Sequence, residues 1–143
     1  MSAGFLLDTN VPSELTRPSP DARVSTWVGA QESASLYLSV VSVGEFRKGF
    51  CLLPQGRRRM QLEQWLEEFL LPFFATRILP VTQAIANRWG VLSAECQARG
   101  TPLNTADGMI AATALAHDLT LVTRNTQDFA RLGVDLLDPW DAL

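Results

Sequence analysis

Short apolar runs and amphipathic stretches take turns along this chain. Phe5-Leu6-Leu7 is an unbroken apolar run, the pattern of a strand covered on both faces. Val11 to Leu15 then reads as a short helix with Pro12 in its first turn. Pro18 and Pro20 flank a loop, and Asp21 to Ala30 is helical, with Val24, Trp27 and Val28 at i, i+3 and i+4 on one face. Leu36 to Val41 reads as a second strand, and Ser42 to Leu53 as a helix broken by Pro54-Gln55-Gly56. Arg57 to Phe74 is a longer helix carrying Leu62, Trp65, Leu66, Phe69 and Leu70. Arg77 to Val81 is a short strand, and Thr82 to Arg99 a helix stopped by Gly100 and Pro102. Thr105 to His117 is an alanine-rich helix, Leu119 to Thr123 a strand, Thr126 to Leu132 a short helix and Val134 to Leu137 a last strand.

This alternation predicts an α/β fold with a central parallel sheet flanked by helices on both sides. No repeat, low-complexity stretch or linker divides the chain, so residues 1–143 are read as one domain with a substantial core. Apolar residues make up 47% and charged residues 19%, which excludes a disordered chain. The net charge of −3 excludes a general basic coat for nucleic acid; any such contact is local or helped by a cation. Neither a signal peptide nor a membrane span is read, and Cys51 and Cys96 are isolated, so the expected setting is cytoplasmic. His117 is the only histidine, which removes His-rich zinc sites and disfavours a Ser-His-Asp triad.

Four places carry acids that need a reason. Asp8 closes the first apolar strand, and a buried carboxylate is normally paired, hydrogen-bonded or bound to a metal. Asp107 lies in the first turn of the alanine-rich helix, on one stripe with Ile110, Ala111 and Ala114. There the helix dipole alone, at about 0.3–1 kcal/mol, would explain it. Glu45 follows Ser42 by three residues, the spacing of a capping box. Asn125 and Asp128 follow the strand that ends near Thr123, as helix caps or as two more oxygen donors. Together these positions put oxygen donors after two strands and in the first turns of two helices, which share one edge of a parallel sheet. Carboxylates without His or Cys suit Mg²⁺ or Mn²⁺, and a cation relieves their mutual repulsion.

Leu6-Leu7-Asp8-Thr9-Asn10, Ser39 through Gly49 with Glu45 inside, Thr105 through Ala112 with Asp107 inside, and Leu121 to Phe129 resemble, in order and spacing, the PIN-domain superfamily and its VapC-type toxins. Asp138-Pro139-Trp140 resembles the FitB-like branch. The resemblance implies a PIN-like fold and a metal-dependent ribonuclease, in which metal-bound water hydrolyses an RNA phosphodiester. It implies that Asp8 and Asp107 are the principal ligands of Mg²⁺ or Mn²⁺, with Glu45 completing the site directly or through water. The family often has a fourth acid where Asn125 stands here, so the Asn125 carbonyl or Asp128 takes that place. Thr9 and Thr123 are further candidates for contact with water or phosphate. Arg57, Arg58 and Arg59, with Arg47 and Lys48, form the densest basic cluster, either solvated helix ends or RNA contacts.

The resemblance also implies a VapB-type antitoxin whose tail occupies an apolar groove, and a homodimer or a higher assembly with that antitoxin. Ser42 to Leu53 and Arg57 to Phe74 are the expected groove, with Phe50, Leu53, Phe69, Phe73 and Phe74 as apolar surface. The tryptophans read as packing residues. Rival readings are a metal-dependent nuclease of DNA or RNA processing, and a weakly catalytic partner of a DNA-binding antitoxin. A haloacid-dehalogenase-type phosphatase is disfavoured, because Asn10 stands where that class has its second acid.

Overall fold

The computed structural model describes residues 4–141. Five short strands, β1 (Phe5–Leu7), β2 (Leu36–Ser39), β3 (Ile78–Leu79), β4 (Thr120–Val122) and β5 (Leu136–Leu137), form one parallel sheet in the order β3-β2-β1-β4-β5. The chain builds outward from β1 to β3, then returns to the other side of β1 for β4 and β5. The strand order therefore reverses between β1 and β4, and open α/β sheets bind ligands outside the carboxyl ends of the strands at such a point.

The helices are α1 (Asn10–Leu15), α2 (Ala22–Ala30), α3 (Val40–Cys51), α4 (Arg57–Trp65), α5 (Leu71–Phe74), α6 (Gln83–Ala98), α7 (Thr105–Ala116) and α8 (Thr126–Phe129). They cover both sheet faces, and the alternation of side chains along β1 divides the core in two. Leu7 packs with Val11, Val24, Leu38, Phe46 and Leu66 on one face. Leu6 packs with Ile110, Ala111, Ala114, Leu121 and Phe129 on the other. Small residues let α7 lie close to its neighbours. A Cβ at Gly108 would sit 2.6 Å from Cδ1 of Trp89, so the approach of α6 to α7 requires glycine there.

Several boundaries differ from the sequence reading, and the third and fourth strands shorten to Ile78–Leu79 and Thr120–Val122. The second strand stops at Ser39, and the helix begins at Val40 rather than Ser42. Ser39 is the reason: its hydroxyl accepts the Val41 N–H at 3.0 Å and caps the helix, overriding the strand preference of two valines. The helix from Arg57 is interrupted by a π turn over Leu66–Leu70. Pro72 follows that turn, and having no N–H it cannot bond the Glu68 carbonyl. The helix after β4 ends at Phe129, and β5 begins only at Leu136.

Candidate active site

Asp8 leaves the carboxyl end of β1 and is only 5% exposed. Its Oδ1 accepts the Thr9 N–H at 2.8 Å, and its Oδ2 accepts the Thr123 hydroxyl at 2.7 Å and the Asn10 amide at 3.5 Å. Thr123 is fully buried just past β4, so this bond ties together the two strands at the reversal point. The same Thr123 oxygen accepts the Asn125 N–H at 3.0 Å. The Thr123 hydroxyl therefore orients Asp8 and is not a surface donor to a ligand.

Glu45 lies on α3, and the capping-box reading of it does not hold. Ser39 is the cap, and Ser42 is inside the helix and buried. Thr9 Oγ1 lies 2.5 Å from Glu45 Oε1 and 2.8 Å from Ser42 Oγ. A carboxylate only accepts, so the single Thr9 proton goes to Glu45 and the Ser42 hydroxyl donates to Thr9. Thr9 thus serves both acids, by its N–H to Asp8 and by its hydroxyl to Glu45. Ser42 is the part of this chain that sequence reasoning missed; its three-residue spacing to Glu45 was the available signal, assigned to the wrong job.

Asp107 sits in the first turn of α7, where Asn104 Oδ1 accepts the Asp107 N–H at 3.2 Å and caps the helix. Burial first, then the charges of Asp8, Asp128 and Glu45, push the Asp107 carboxyl up to about 6. Burial likewise raises Asp8, against the bonds from Thr123 and Thr9, with the charges of Glu45 and Asp128 adding to the rise. The four acids therefore stand within electrostatic reach of one another. Asp128 lines a cavity with Asp107, whereas Asn125 is exposed at the start of α8 and makes no side-chain cap bond.

Among the described residues, no three acidic, Cys or His side chains converge tightly enough to form a complete cage. Asp8, Glu45, Asp107 and Asp128 offer oxygen donors without His or Cys, a set suited to a divalent cation that takes oxygen ligands.

The arginine cluster is largely spent elsewhere. Arg59 donates to the Cys51 and Leu53 carbonyls and pairs with Glu63 at 3.6 Å, and Arg58 donates to the Thr16 carbonyl. Arg47 pairs with Glu63 and Glu67. The apolar groove is also displaced from its expected place. Phe50 is buried in the core and α3 contributes no wall, while the groove opens between α1, α2 and the Arg57–Phe74 segment, lined by Pro12, Leu15, Val28, Phe69, Phe73 and Phe74.

Residues 5–135 match the model of the PIN domain family. The chain belongs to the PIN domain family. It is 40% identical to the VapC ribonuclease Y4jK of Sinorhizobium fredii, over 96% of this chain and 98% of that protein. It is 41% identical to the toxin FitB of Neisseria gonorrhoeae, over 95% of this chain and 98% of that protein. The solved structure of FitAcB from that organism superposes with a TM-score of 0.89 at 40% identity, covering 96% of this chain and 99% of that chain. A toxin-antitoxin complex from Klebsiella pneumoniae superposes with a TM-score of 0.72 at 28% identity, covering 95% and 98%. Among the described residues, no helix is long and apolar enough to cross a membrane.

Proposed function

We propose that this chain is a ribonuclease toxin that hydrolyses RNA phosphodiesters with Mg²⁺ or Mn²⁺ and is silenced by a protein antitoxin. The observation that carries the reading is the crowding of Asp8, Glu45, Asp107 and Asp128 at the reversal point of the sheet, where burial and mutual charge hold Asp107 near 6. Such repulsion costs stability unless a cation removes it. The ribonuclease and toxin names of two relatives, each matched along nearly its whole length, support the same reading.

Asp8 and Asp107 would hold the cation. Bound there, it would neutralise the cluster and offset the charge that builds on the phosphoryl oxygens. The chain's own residues set the geometry. Thr123 and the Thr9 N–H fix Asp8 from two sides. Ser42 and Thr9 fix Glu45 through Oε1, which leaves Oε2 to accept a proton from water and orient that water toward the phosphate. Asp128 completes the rim beside Asp107 in place of Asn125.

The antitoxin reading rests on the apolar groove. Phe69 is 70% exposed and Phe73 47% exposed on the wall of a groove of about 240 Å³ with almost no polar lining. An amphipathic helix laying its apolar face there would cover both rings. A homodimer, each copy holding an antitoxin, belongs to the same proposal.

Sequencing RNA 5′ ends after induced expression tests the function and names the substrate. Wild type should create new ends at a limited set of sites and arrest growth, and Asp8→Asn should do neither. The same new ends with folded Asp8→Asn would reject the reading.

A further inference from the structure

Two cavities flank the acidic cluster and meet at Asn104. One, of about 500 Å³, is lined by Asn104, Asp107, Gln127, Asp128 and Arg131. The other, of about 570 Å³, is lined by Gly44, Glu45, Lys48, Asn104 and Thr105. The first holds two site acids and one cation, the second one of each. The spacing is the same on both sides: Lys48 follows Glu45 by three residues, and Arg131 follows Asp128 by three.

The other cations sort themselves by partner. Arg17, Arg23, Arg47 and Arg59 are in ion pairs. Arg58 and Arg77 donate to backbone carbonyls, and the Arg124 guanidinium lies 5.3 Å over the Trp140 ring. Among the described residues, Lys48, Arg57, Arg88, Arg99 and Arg131 have side chains with no such partner. Of these five, only Lys48 and Arg131 share a cavity with Glu45, Asp107 or Asp128. Neither closes an ion pair with the acid three residues before it, so each remains available to an anion.

We propose that Lys48 and Arg131 are phosphate-positioning residues, which seat a single RNA strand across the site from the α3 cavity to the α8 cavity. This rests on the ribonuclease reading. With a net charge of −3 the chain has no general attraction for a polyanion, so two cations beside four acids supply the local grip. One lies in each of the two cavities that share Asn104, where they would hold the phosphates that flank the one to be cut. Asn104 stands at the junction with its Oδ1 committed to the helix cap and its amide free to donate to the strand. A flexible single strand can follow two small cavities joined at one residue, whereas a duplex holds its two backbones apart.

The test uses a fluorescent single-stranded RNA oligonucleotide and the full chain with Mg²⁺. KM is measured on the active protein, and Kd against salt in an Asp8→Asn background that does not turn over. Lys48→Ala and Arg131→Ala should each raise KM and Kd several-fold. Each should make the log Kd–log salt slope shallower by about 0.7, the share of one phosphate contact on a single strand. The double variant should lose more than either, with the loss falling mainly on KM. Arg88→Ala, on the outer face of α6, should match wild type. Unchanged KM, Kd and salt slope in the double variant of an enzyme that still cleaves RNA would overturn the inference and leave the ribonuclease reading intact. So would equal affinity for duplex, or a loss of affinity with Arg57→Ala in place of these two. If the wild type cleaves no RNA, the ribonuclease reading fails and this inference with it.

Discussion

At the scale of the residue, Thr123 and Thr9 do more than their position at strand ends suggests. Among the described residues Thr123 gives Asp8 its only hydroxyl donor, and groups behind a metal ligand typically matter 10–100-fold in metal affinity or activity. Thr123→Val keeps the shape and removes the donor. It should lower kcat/KM by about 10–100-fold and raise the Mg²⁺ concentration needed, read by cleavage across a Mg²⁺ titration; a wild-type titration would contradict the role. Asp107 supplies a second residue-level test. Its folded pKa near 6 lies above the ordinary 3.8, so between those values the folded chain binds more protons than the unfolded one. The contribution of Asp107 to the stability of the cation-free protein is then most favourable below this window and falls as pH rises through about 6. Thermal melting without divalent cations should show that fall, Mg²⁺ at neutral pH should reverse it, and Asp107→Asn should remove most of it. Asp8, also raised by burial, adds to the fall in the same direction. A flat profile would contradict the crowding. Asp8 stood out in the sequence as an acid closing an apolar strand, whereas the helix dipole was reason enough for Asp107 and the family resemblance singled it out. The Thr9–Ser42–Glu45 chain was not, because it joins residues 33 and 36 positions apart that no local pattern connects.

At the scale of the element, the same limit moved boundaries. Val40 and Val41 suit a strand, yet one serine hydroxyl starts α3 there and turns Ser42 and Glu45 into the site. The alternation of strands and helices was legible because a buried strand and an amphipathic helix differ in period. The π turn was not, because it keeps the helical periodicity nearly intact while shifting which residues meet solvent. The packing of α6 on α7 yields an element-level prediction. Gly108→Ala gains up to ~1 kcal/mol of helix propensity but forces a Cβ against Trp89 and Leu103, an overpacking that typically costs about 1–3 kcal/mol. The variant should be destabilised by about 1 kcal/mol in urea unfolding and should lose activity, because Asp107 is its neighbour on the helix. Unchanged stability and activity would show that the α6–α7 contact yields freely.

At the scale of the whole molecule, the order β3-β2-β1-β4-β5 explains why acids separated by most of the chain meet at one edge. Parallel strands send every carboxyl end the same way, and the reversal between β1 and β4 opens the crevice that Asp8 and Thr123 close from below. The parallel sheet put these strand and helix ends on one edge and the family resemblance singled out Asp8 and Asp107 there, whereas the fates of the cations needed the fold. Of the arginines dense in sequence at 57–59, Arg58 and Arg59 are tied to a neighbouring helix and loop, while Lys48, beside the paired Arg47, and Arg131 line the two cavities that hold the acids. The most direct measurement is cleavage of a single-stranded RNA by purified protein, wild type beside folded Asp8→Asn and Asp107→Asn, with Mg²⁺ and with EDTA. Wild type with Mg²⁺ should cut, and EDTA or either substitution should stop it. Cutting at the wild-type level by either folded variant, or cutting that persists in EDTA, would contradict a cation-dependent centre built on these two carboxylates.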